Sequence, residues 1–245
     1  MDAMSQGRTG SAGMMLNREF IETTLTAGDR WCASHGATPA GSDLGAGILY
    51  YGLAYATKAN VCVCLGSGGG FVPRLMRQAQ RDLGLDGSRT ILVDGGHQVT
   101  AERKEIWGSP SWLDGEHPFR TDYPEIEIVM ALTEDAHRGM FEPRQLAIDY
   151  LHIDADHHYD GVKRDWDLFH PLVTPTGVIT LHDTANYREP CGVPRLVEEI
   201  RAEGTYQIVD LPIAYGTAIA KKVLNPDENL AASRSSLASQ SGRGQ

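Results

Sequence analysis

A continuous apolar run followed at once by glycines is the feature that most constrains the fold of this chain. Val61–Leu65 are all apolar, as expected for a central strand of a parallel sheet covered on both faces. The glycine-rich turn 66–70 follows, and the pattern from Phe71 to about Asp82 predicts a helix. This order is typical of nucleotide-cofactor sites, because glycines allow close backbone approach and a helix N-terminus presents free N–H groups. The alternative interpretation is that residues 66–70 form only a tight turn between strand and helix and bind no cofactor.

Further predicted strands alternate with helices along the chain. The strands are expected at Thr90–Asp94, Glu125–Met130, Asp149–Ile153 and Val178–Leu181, and the helices at Asp160–Val173 and Val193–Ala202. Residues 174–177 are expected to form a turn, and Tyr206–Val209 is expected to pair with Ala214–Ala220 as an antiparallel edge. The alternation predicts an α/β fold with a doubly wound, mostly parallel sheet, whose ligands bind beyond the carboxyl ends of the strands.

Composition limits the classes of partner. The chain has 245 residues, of which 41% are hydrophobic, enough for one sizeable core in a single α/β domain with additions. The net charge of −10 and the lack of a basic run argue against nucleic acid. No apolar run approaches the roughly 18 residues of a membrane span, and no signal-type segment begins the chain. The four cysteines, without zinc or disulfide spacing, favour a reducing, cytoplasmic setting.

Segments on either side of the predicted sheet are less constrained. Residues 1–45 are assigned to an N-terminal extension with a helix at Arg18–Trp31, residues 46–222 to the main domain, and 223–245 to a disordered tail. A second helix is expected from Ser42 or Asp43 to about Lys58. Its inward face is predicted to carry Ile48, Leu49, Leu53 and Tyr55. Residues 95–125 are predicted to be loop-rich, with a helix near Thr100–Trp107.

Ionisable residues gather where two predicted strands end. Asp154, Asp156 and His157 follow one strand, and His182 and Asp183 follow the next. Grouped like charges desolvate poorly, so a metal site or a proton-transfer site would justify their cost. Neighbouring strands lie about 4.8 Å apart, so both groups can ligate one ion if the strands are adjacent. Carboxylates favour Mg²⁺ or Ca²⁺, and an imidazole ligand shifts the preference toward Mn²⁺ or a later transition metal. A solvated acidic loop and a helix-capping acid are the alternatives.

Asp94 and Thr133 extend the predicted ligand site. Asp94 ends the second strand, 28 positions after Gly66, where an acid accepts hydrogen bonds from ribose hydroxyls in dinucleotide and related sites. Thr133 follows the third strand and is a candidate for contact with a cofactor base.

These motifs together resemble the class I S-adenosylmethionine-dependent methyltransferases, most closely the metal-dependent O-methyltransferases of natural-product sugars, such as the macrocin type. The segments that carry the resemblance are 66–70, Ile153–His157, Tyr159–Val162, Thr176–Ile179, His182–Asp183 and Gly192–Val193. It covers about residues 45–222 and implies a Rossmann-like, seven-stranded sheet. It also implies a small-molecule hydroxyl, of a sugar or a phenol, as methyl acceptor. Assembly as a homo-oligomer stays open.

The resemblance implies roles for individual residues. Its metal ligands fall on Asp154, His182 and Asp183, with Mg²⁺ as the first candidate and Mn²⁺ as the second. His157 falls where relatives place a general base, and its ordinary pKa of about 6.5 suits that role; His158 is the competing candidate. The residues expected to hold S-adenosylmethionine are Gly66, Ser67, Gly68, Gly70, Asp94, Thr133 and Asp154.

Three other functions use parts of the same pattern. A metallohydrolase could use the ligand run that begins at His152, but the glycine turn and Asp94 would then have no role. A nicotinamide-dependent oxidoreductase could use the turn and the acid, but it would leave the histidine–carboxylate group unexplained. A non-catalytic nucleotide-binding module would bind the cofactor and show no turnover.

Overall fold

The computed structural model describes residues 16–39, 41–96, 110–188 and 190–224. The helix predicted at Thr100–Trp107 and the tail segments 1–15 and 225–245 lie outside these ranges. Within them, no helix combines the length and apolar character that a membrane-spanning segment needs.

A single seven-stranded sheet forms the centre of the molecule, in the order β3-β2-β1-β4-β5-β7-β6. The strands are β1 Val61–Leu65, β2 Arg89–Asp94, β3 Glu127–Met130, β4 Ile148–Ile153, β5 Val173–His182, β6 Tyr206–Leu211 and β7 Thr217–Lys222. β3, β2, β1, β4 and β5 are parallel. β7 pairs antiparallel with both β5 and β6. The predicted fold class, including the mostly parallel seven-stranded sheet and its antiparallel edge, is confirmed.

Helices cover the sheet on both faces. They are α1 Arg18–Phe20, α2 Gly47–Thr57, α3 Phe71–Asp82, α4 Pro118–Asp122, α5 Thr133–Ala136, α6 Glu142–Arg144, α7 Tyr159–Phe169 and α8 Val193–Glu203. Alternate residues of β1 enter different apolar cores: Cys62 and Cys64 face one core, and Val63 and Leu65 face the other. Burial on both faces explains why the strand is a continuous apolar run.

The predicted helix at Arg18–Trp31 is wrong over its second half. α1 passes into a π-helical turn, Ile21–Leu25, and the backbone then turns at Gly28, whose φ is +70°. A separate 3₁₀ helix, Trp31–His35, follows and ends at Gly36 in the left-handed conformation. Because the helix is interrupted, the segment after Leu25 can fold over the glycine turn; a single continuous helix could not.

Two local predictions also need correction. Of the residues predicted to face inward on α2, Leu53 and Tyr55 pack against the core, but Ile48 is 49% exposed. The buried positions are Gly47, Tyr50, Tyr51 and Ala54, and the helix begins at Gly47 and not at Ser42 or Asp43. The predicted turn at 174–177 belongs to β5, which begins at Val173 and pairs with Ile148 before a register shift. In both cases tertiary packing selected an arrangement that local residue preference did not indicate.

Strand register brings four distant positions to one edge of the sheet. Leu65 pairs with Val93 on one side and with Ile153 on the other, and Ile153 pairs with Leu181. The residues that follow these pairs therefore lie side by side at the carboxyl ends of the strands. They are Gly66, Asp94, Asp154 and His182.

Candidate active site

The glycine turn is formed by a backbone that only glycine allows at its first position. Gly66 has a φ of +76°, and its N–H donates to the carbonyl of Val93 at 2.8 Å. A Cβ added to Gly66 would lie 2.3 Å from the carbonyl oxygen of Asp154. A side chain there would push the first and fourth strands apart, so Gly66 keeps the two halves of the site together.

Asp94 lies beneath this turn, as the sequence predicts. Its carboxylate accepts hydrogen bonds from the backbone N–H of Ser67 at 3.1 Å and of Gly96 at 2.7 Å. Burial raises the pKa of Asp94 despite these two donors. A buried carboxylate held by one oxygen to each neighbouring turn is well placed to accept hydrogen bonds from a ligand in the adjoining cleft.

The cleft runs from the glycine turn along the carboxyl ends of β2, β4 and β5. Its wall includes most of the predicted ligand-contact residues, namely Gly66, Ser67, Gly68, Asp94, Thr133 and Asp154. Gly70 has a different place. It precedes α3 with a φ of +83°, donates its N–H to the hydroxyl of Ser67, and has Phe119 where its Cβ would be. Gly69 lines the cleft instead.

Asp154 is the centre of a buried cluster of imidazoles. Its Oδ1 lies 3.2 Å from Nε2 of His157 and 3.1 Å from Nδ1 of His182. Its Oδ2 lies 3.6 Å from Nε2 of His35 and 3.8 Å from Nε2 of His152. The structure therefore brings the two predicted groups of ionisable residues together, and it adds histidines from the N-terminal segment and from within β4.

Asp183 is the second carboxylate of this cluster. Its Oδ2 lies 3.2 Å from Nδ1 of His182 and 3.3 Å from Nε2 of His157. Its φ of +62° is in the left-handed region that few non-glycine residues adopt, and its Oδ1 accepts from the amide of Asn186 at 3.0 Å. Backbone strain of this kind is retained at functional sites when the surroundings hold it in place.

The charges within the cluster shift pKa values in a consistent pattern. Burial would lower the pKa of His182, but Asp154 and Asp183 outweigh it and raise that pKa to about 10. The pKa of His157 is raised in the same way, against burial, by Asp154 and Asp183. Burial would raise the pKa of Asp154, but His182, His152 and His157 hold it well below its ordinary value. The two carboxylates therefore require positive charge between them.

Two sets of side chains offer ligand atoms within 4.8 Å of one another. One set is Asp154, His157 and Asp183, and the other is His35, Asp154 and His182. His182 donates its Nε2–H to the carbonyl of Ser34 at 3.1 Å, so in the neutral ring the lone pair of Nδ1 points at two carboxylates. A proton or a metal cation at Nδ1 removes that conflict. The predicted ligands Asp154, His182 and Asp183 thus lie together, with Nδ1 of His182 3.1 Å from Oδ1 of Asp154 and 3.2 Å from Oδ2 of Asp183.

The two adjacent histidines after β4 have different environments. His157 points into the cluster, while His158 is exposed and its Nδ1 lies 2.8 Å from Oδ1 of Asp156. Asp156 also accepts from the backbone N–H of His158 at 3.0 Å. Asp156 therefore orients His158, and of the two histidines it is His157 that reaches the buried carboxylates.

Thr133 contacts a buried acid that the sequence did not single out. Its hydroxyl donates to Oδ1 of Asp165 on α7 at 2.5 Å. Asp165 lines the cleft and is 1% exposed, and its Oδ2 has no hydrogen-bond partner among the described residues. Burial raises the pKa of Asp165 to about 7.

Asp165→Asn is expected to stabilise the protein increasingly as pH rises. The folded-state pKa of about 7 lies above the ordinary 3.8, so the folded protein holds a proton that the unfolded chain has lost. The free energy of unfolding of the wild type therefore falls as pH rises from 3.8 to about 7, by up to about 4 kcal/mol in total. The advantage of the variant should grow by about 2 kcal/mol between about pH 5.5 and about pH 8.5. Urea unfolding measures it, with the exposed Asp86→Asn as control. A difference independent of pH would contradict the expectation.

Three cleft residues lie in places that sequence patterns do not mark. His35 and Asp29 come from a segment rich in small and polar residues, and Asp165 is on the buried side of α7. Oδ1 of Asp29 accepts from the N–H of Trp31 at 2.8 Å, and its carboxylate lies where a Cβ on Gly69 would be. The only sequence signal for Asp165 is an acid within the apolar stripe of a predicted helix.

Comparison with known proteins agrees with this architecture. The family model described as "Methyltransferase domain" matches residues 63–184, which include the glycine turn, Asp94, Asp154 and Asp183. No curated protein matches the chain significantly.

Solved structures with the same fold share little sequence with the chain. A protein from Corynebacterium glutamicum is 16% identical with a TM-score of 0.55, covering 75% of this chain and 82% of its own. An O-methyltransferase from Bacillus cereus in complex with SAH is 16% identical with a TM-score of 0.53, covering 77% and 83%. The O-methyltransferase TomG from Streptomyces achromogenes, involved in tomaymycin synthesis and in complex with SAM, is 14% identical with a TM-score of 0.53, covering 79% and 87%. Residues 63–184 thus match the model of a methyltransferase domain, and the sheet order together with these solved structures shows the Rossmann-like methyltransferase fold.

Proposed function

We propose that the protein is an S-adenosylmethionine-dependent O-methyltransferase that acts on a hydroxyl of a small molecule, assisted by a divalent ion and a histidine base. One observation carries the proposal: a nucleotide-type glycine turn with its acid and a buried carboxylate–imidazole cluster open into the same cleft. The first is suited to a nucleoside-containing donor, and the second to activating an oxygen nucleophile. A nicotinamide-dependent oxidoreductase would use only the first of these two features.

The glycine turn and its surroundings supply the donor site. The absence of a side chain at Gly66 and Gly68 lets the backbone of Asp154 and the ring of Trp31 approach the turn, since a Cβ at either position would collide with them. Asp94 offers buried carboxylate oxygens toward the cleft, which suit the hydroxyls of a ribose. Asp154 follows β4 beside the turn, because Leu65 pairs with Ile153, so the proposed donor site adjoins the carboxylate–imidazole cluster.

His157 is the residue placed to move the proton. A hydroxyl is a weak nucleophile at neutral pH and needs to lose its proton as it attacks the methyl group. Nε2 of His157 faces both carboxylates, and its side chain is 22% exposed to the cleft. In this role the neutral ring accepts the proton of the substrate hydroxyl, and Asp154 and Asp183 stabilise the imidazolium that results.

A divalent ion fits the donor set formed by Asp154, His182 and Asp183. When bound there, such an ion would lower the pKa of a substrate hydroxyl and fix its direction. The protein prepares this site through the Ser34 carbonyl, which sets the tautomer of His182, and through Asn186, which orients Asp183.

The acceptor class is inferred from the site and from the neighbours' names. The cleft is bounded by the half-exposed Tyr215 and by Leu132 on its apolar side, so it suits a compact molecule with both polar and apolar surfaces. The Bacillus cereus and Streptomyces achromogenes proteins are named as O-methyltransferases, which supports a hydroxyl over a nitrogen acceptor. A sugar or phenolic natural product is the proposed substrate class.

Calorimetry tests the proposal directly. S-adenosylmethionine and its demethylated product are titrated into the full chain with and without Mg²⁺, and NAD⁺ is titrated in parallel. We expect both methyl-donor ligands to bind and NAD⁺ not to bind. Binding of NAD⁺ alone would overturn the proposal in favour of an oxidoreductase. Two bound ions per chain without donor binding would favour a metallohydrolase.

Asp94→Ala is expected to weaken donor binding by about ten- to a hundredfold, because each hydrogen bond to a charged group contributes roughly 1.5–3 kcal/mol. The turnover number at saturating donor should change little, since Asp94 lies away from the cluster. Calorimetry and steady-state kinetics measure the two quantities. Asp135→Ala, an exposed acid beyond β3, is the matched control, and an unchanged donor affinity in Asp94→Ala would remove the assignment.

A further inference from the structure

His35 is brought to the carboxyl edge of the sheet by the segment that precedes the domain. It ends the 3₁₀ helix Trp31–His35, which Gly36 terminates in the left-handed conformation. Its carbonyl accepts from the N–H of Ala46 at 2.8 Å, and its ring packs against Phe71 with centroids 5.5 Å apart. His35 is 4% exposed. Its position is therefore set by the fold and not by a mobile side chain.

The ligand atoms of His35, Asp154 and His182 converge. Nε2 of His35 lies 3.6 Å from Oδ2 of Asp154, and Nδ1 of His182 lies 3.1 Å from Oδ1 of the same carboxylate. The two imidazole rings are 3.9 Å apart between centroids. Two ligand atoms that each lie about 2.1 Å from one ion are separated by roughly 3.0–3.4 Å. Small side-chain adjustments would thus bring the three atoms onto one cation.

Both imidazoles are oriented through their second nitrogen, which is how metal-ligating histidines are held. Nδ1 of His35 lies 3.0 Å from the hydroxyl of Tyr50, which lies 2.9 Å from Oγ1 of Thr217. Nε2 of His182 donates to the carbonyl of Ser34, the residue beside His35. One short segment therefore supplies one imidazole and fixes the tautomer of the other.

A third imidazole gives independent evidence for a ligand at this point. His152 is fully buried in β4, and its Nδ1 lies 2.7 Å from Oγ1 of Thr180. Its Nε2 points toward Oδ2 of Asp154 at 3.8 Å, which is too long for a hydrogen bond, and no closer partner for this atom occurs in the described part of the chain. A buried polar atom left without a partner costs free energy, and an ion or its bound water at Asp154 would satisfy it.

We propose that His35 is a ligand of the divalent ion, together with Asp154 and His182, and that the resulting imidazole-rich site selects a first-row transition metal over Mg²⁺. This inference rests on the metal-assisted function proposed above and refines it. Imidazole nitrogens suit the later divalent metals of the first row best, and Mn²⁺ accepts them more readily than Mg²⁺, which prefers oxygen ligands in an octahedral sphere. The segment before the domain thus helps to determine which metal ion the site binds.

Metal binding to the full chain, freed of ions with a chelator, tests the proposal without an activity assay. Electron paramagnetic resonance counts free Mn²⁺ during a titration, and competition by Mg²⁺ gives the second affinity. We expect Mn²⁺ to bind the wild type at least about tenfold more tightly than Mg²⁺. His35→Asn should weaken Mn²⁺ binding about ten- to a hundredfold and change Mg²⁺ binding by less than about threefold.

Two further variants complete the test. His170→Asn alters a histidine outside the cluster, one that contacts Tyr206, and should leave both affinities unchanged. Tyr50→Phe keeps the His35 imidazole and removes the hydroxyl that positions it, so Mn²⁺ binding should weaken by about tenfold. It decides the question if His35→Asn does not fold.

The outcomes separate this inference from the function on which it rests. Equal Mn²⁺ affinity in the wild type and in His35→Asn, or in Tyr50→Phe where the first variant is unfolded, would show that His35 only packs. The ion held by Asp154, His182 and Asp183 would then still stand. Absence of Mn²⁺ and Mg²⁺ binding to the wild type would overturn both this inference and the metal in the proposed function.

Discussion

Asp154→Asn should abolish divalent-metal binding and lower the turnover number by about a thousandfold or more. The side chain lies against the imidazoles of His157 and His182 and belongs to both candidate ligand sets. Its removal therefore disables either set. Stabilisation of charge by a bound ion contributes several kcal/mol to a reaction of this kind, and about 4 kcal/mol corresponds to a factor of a thousand. Metal titration and single-turnover methyl transfer measure the two effects.

The same substitution should lower the pKa of His182. Asp154 is the main cause that raises this pKa to about 10 against the effect of burial, and an amide in its place carries no charge. In the metal-free protein, NMR should show the His182 ring losing its proton at a lower pH in the variant than in the wild type. Asp167→Asn, on the exposed side of α7 where Asp167 pairs with Lys163, is the control. Full metal binding and turnover in Asp154→Asn would refute the central role of this carboxylate.

His157→Ala should reduce the turnover number by about a hundred- to ten-thousandfold while donor affinity stays within about twofold, as expected when a general base is removed. In the wild type the rate should rise with pH through the pKa of His157, because only the neutral ring accepts a proton. In the metal-free protein Asp154 and Asp183 raise that pKa above its ordinary value of 6.5, and an ion bound to the two carboxylates would lower it again. The midpoint of the rise should therefore move to higher pH when the ion is removed. The variant should lose this dependence, and added imidazole should restore part of the rate.

His158→Ala provides the matched comparison for the base assignment. This neighbour is exposed and paired with Asp156, so its removal should change turnover by less than about threefold. A large loss of turnover in His158→Ala with little loss in His157→Ala would show that His158, and not His157, is the base. If His157→Ala instead lost metal affinity in proportion to its activity, His157 would be a ligand in the set with Asp154 and Asp183 and not the base.

Local pattern was sufficient for the elements that are buried on both sides. β1 has the bounds predicted from its apolar run, and α3 ends where the helical pattern ends. The reason is that a strand covered on both faces leaves no polar position, and a helix on such a sheet keeps a regular apolar stripe. The same physics places Asp94 and Asp154 at strand ends, because charged groups are excluded from the strands themselves.

Local pattern was insufficient where chain segments meet only in space. The predicted helix at Arg18–Trp31 fails because the segment after Leu25 packs over the glycine turn, with Asp29 against Gly69 and Trp31 against Gly68. The position of Gly70 also depends on a distant residue, since Phe119 occupies the space beside it. Such contacts join residues far apart in sequence and leave no periodic trace.

The amino-acid sequence by itself determined the class of fold, the edge of the sheet at which the candidate site lies, and the carboxylates and imidazoles that follow β4 and β5. Those features depend on apolar runs about as long as one strand and on the parallel direction of neighbouring strands. Only the tertiary structure decided that His35 and His152 face the same carboxylate, that His157 points inward while His158 points outward, and that Asp165 is buried against Thr133. The physical reason is that the charge state and role of each group depend on burial and on partners 3–4 Å away across the fold, and a linear pattern carries no information about those neighbours.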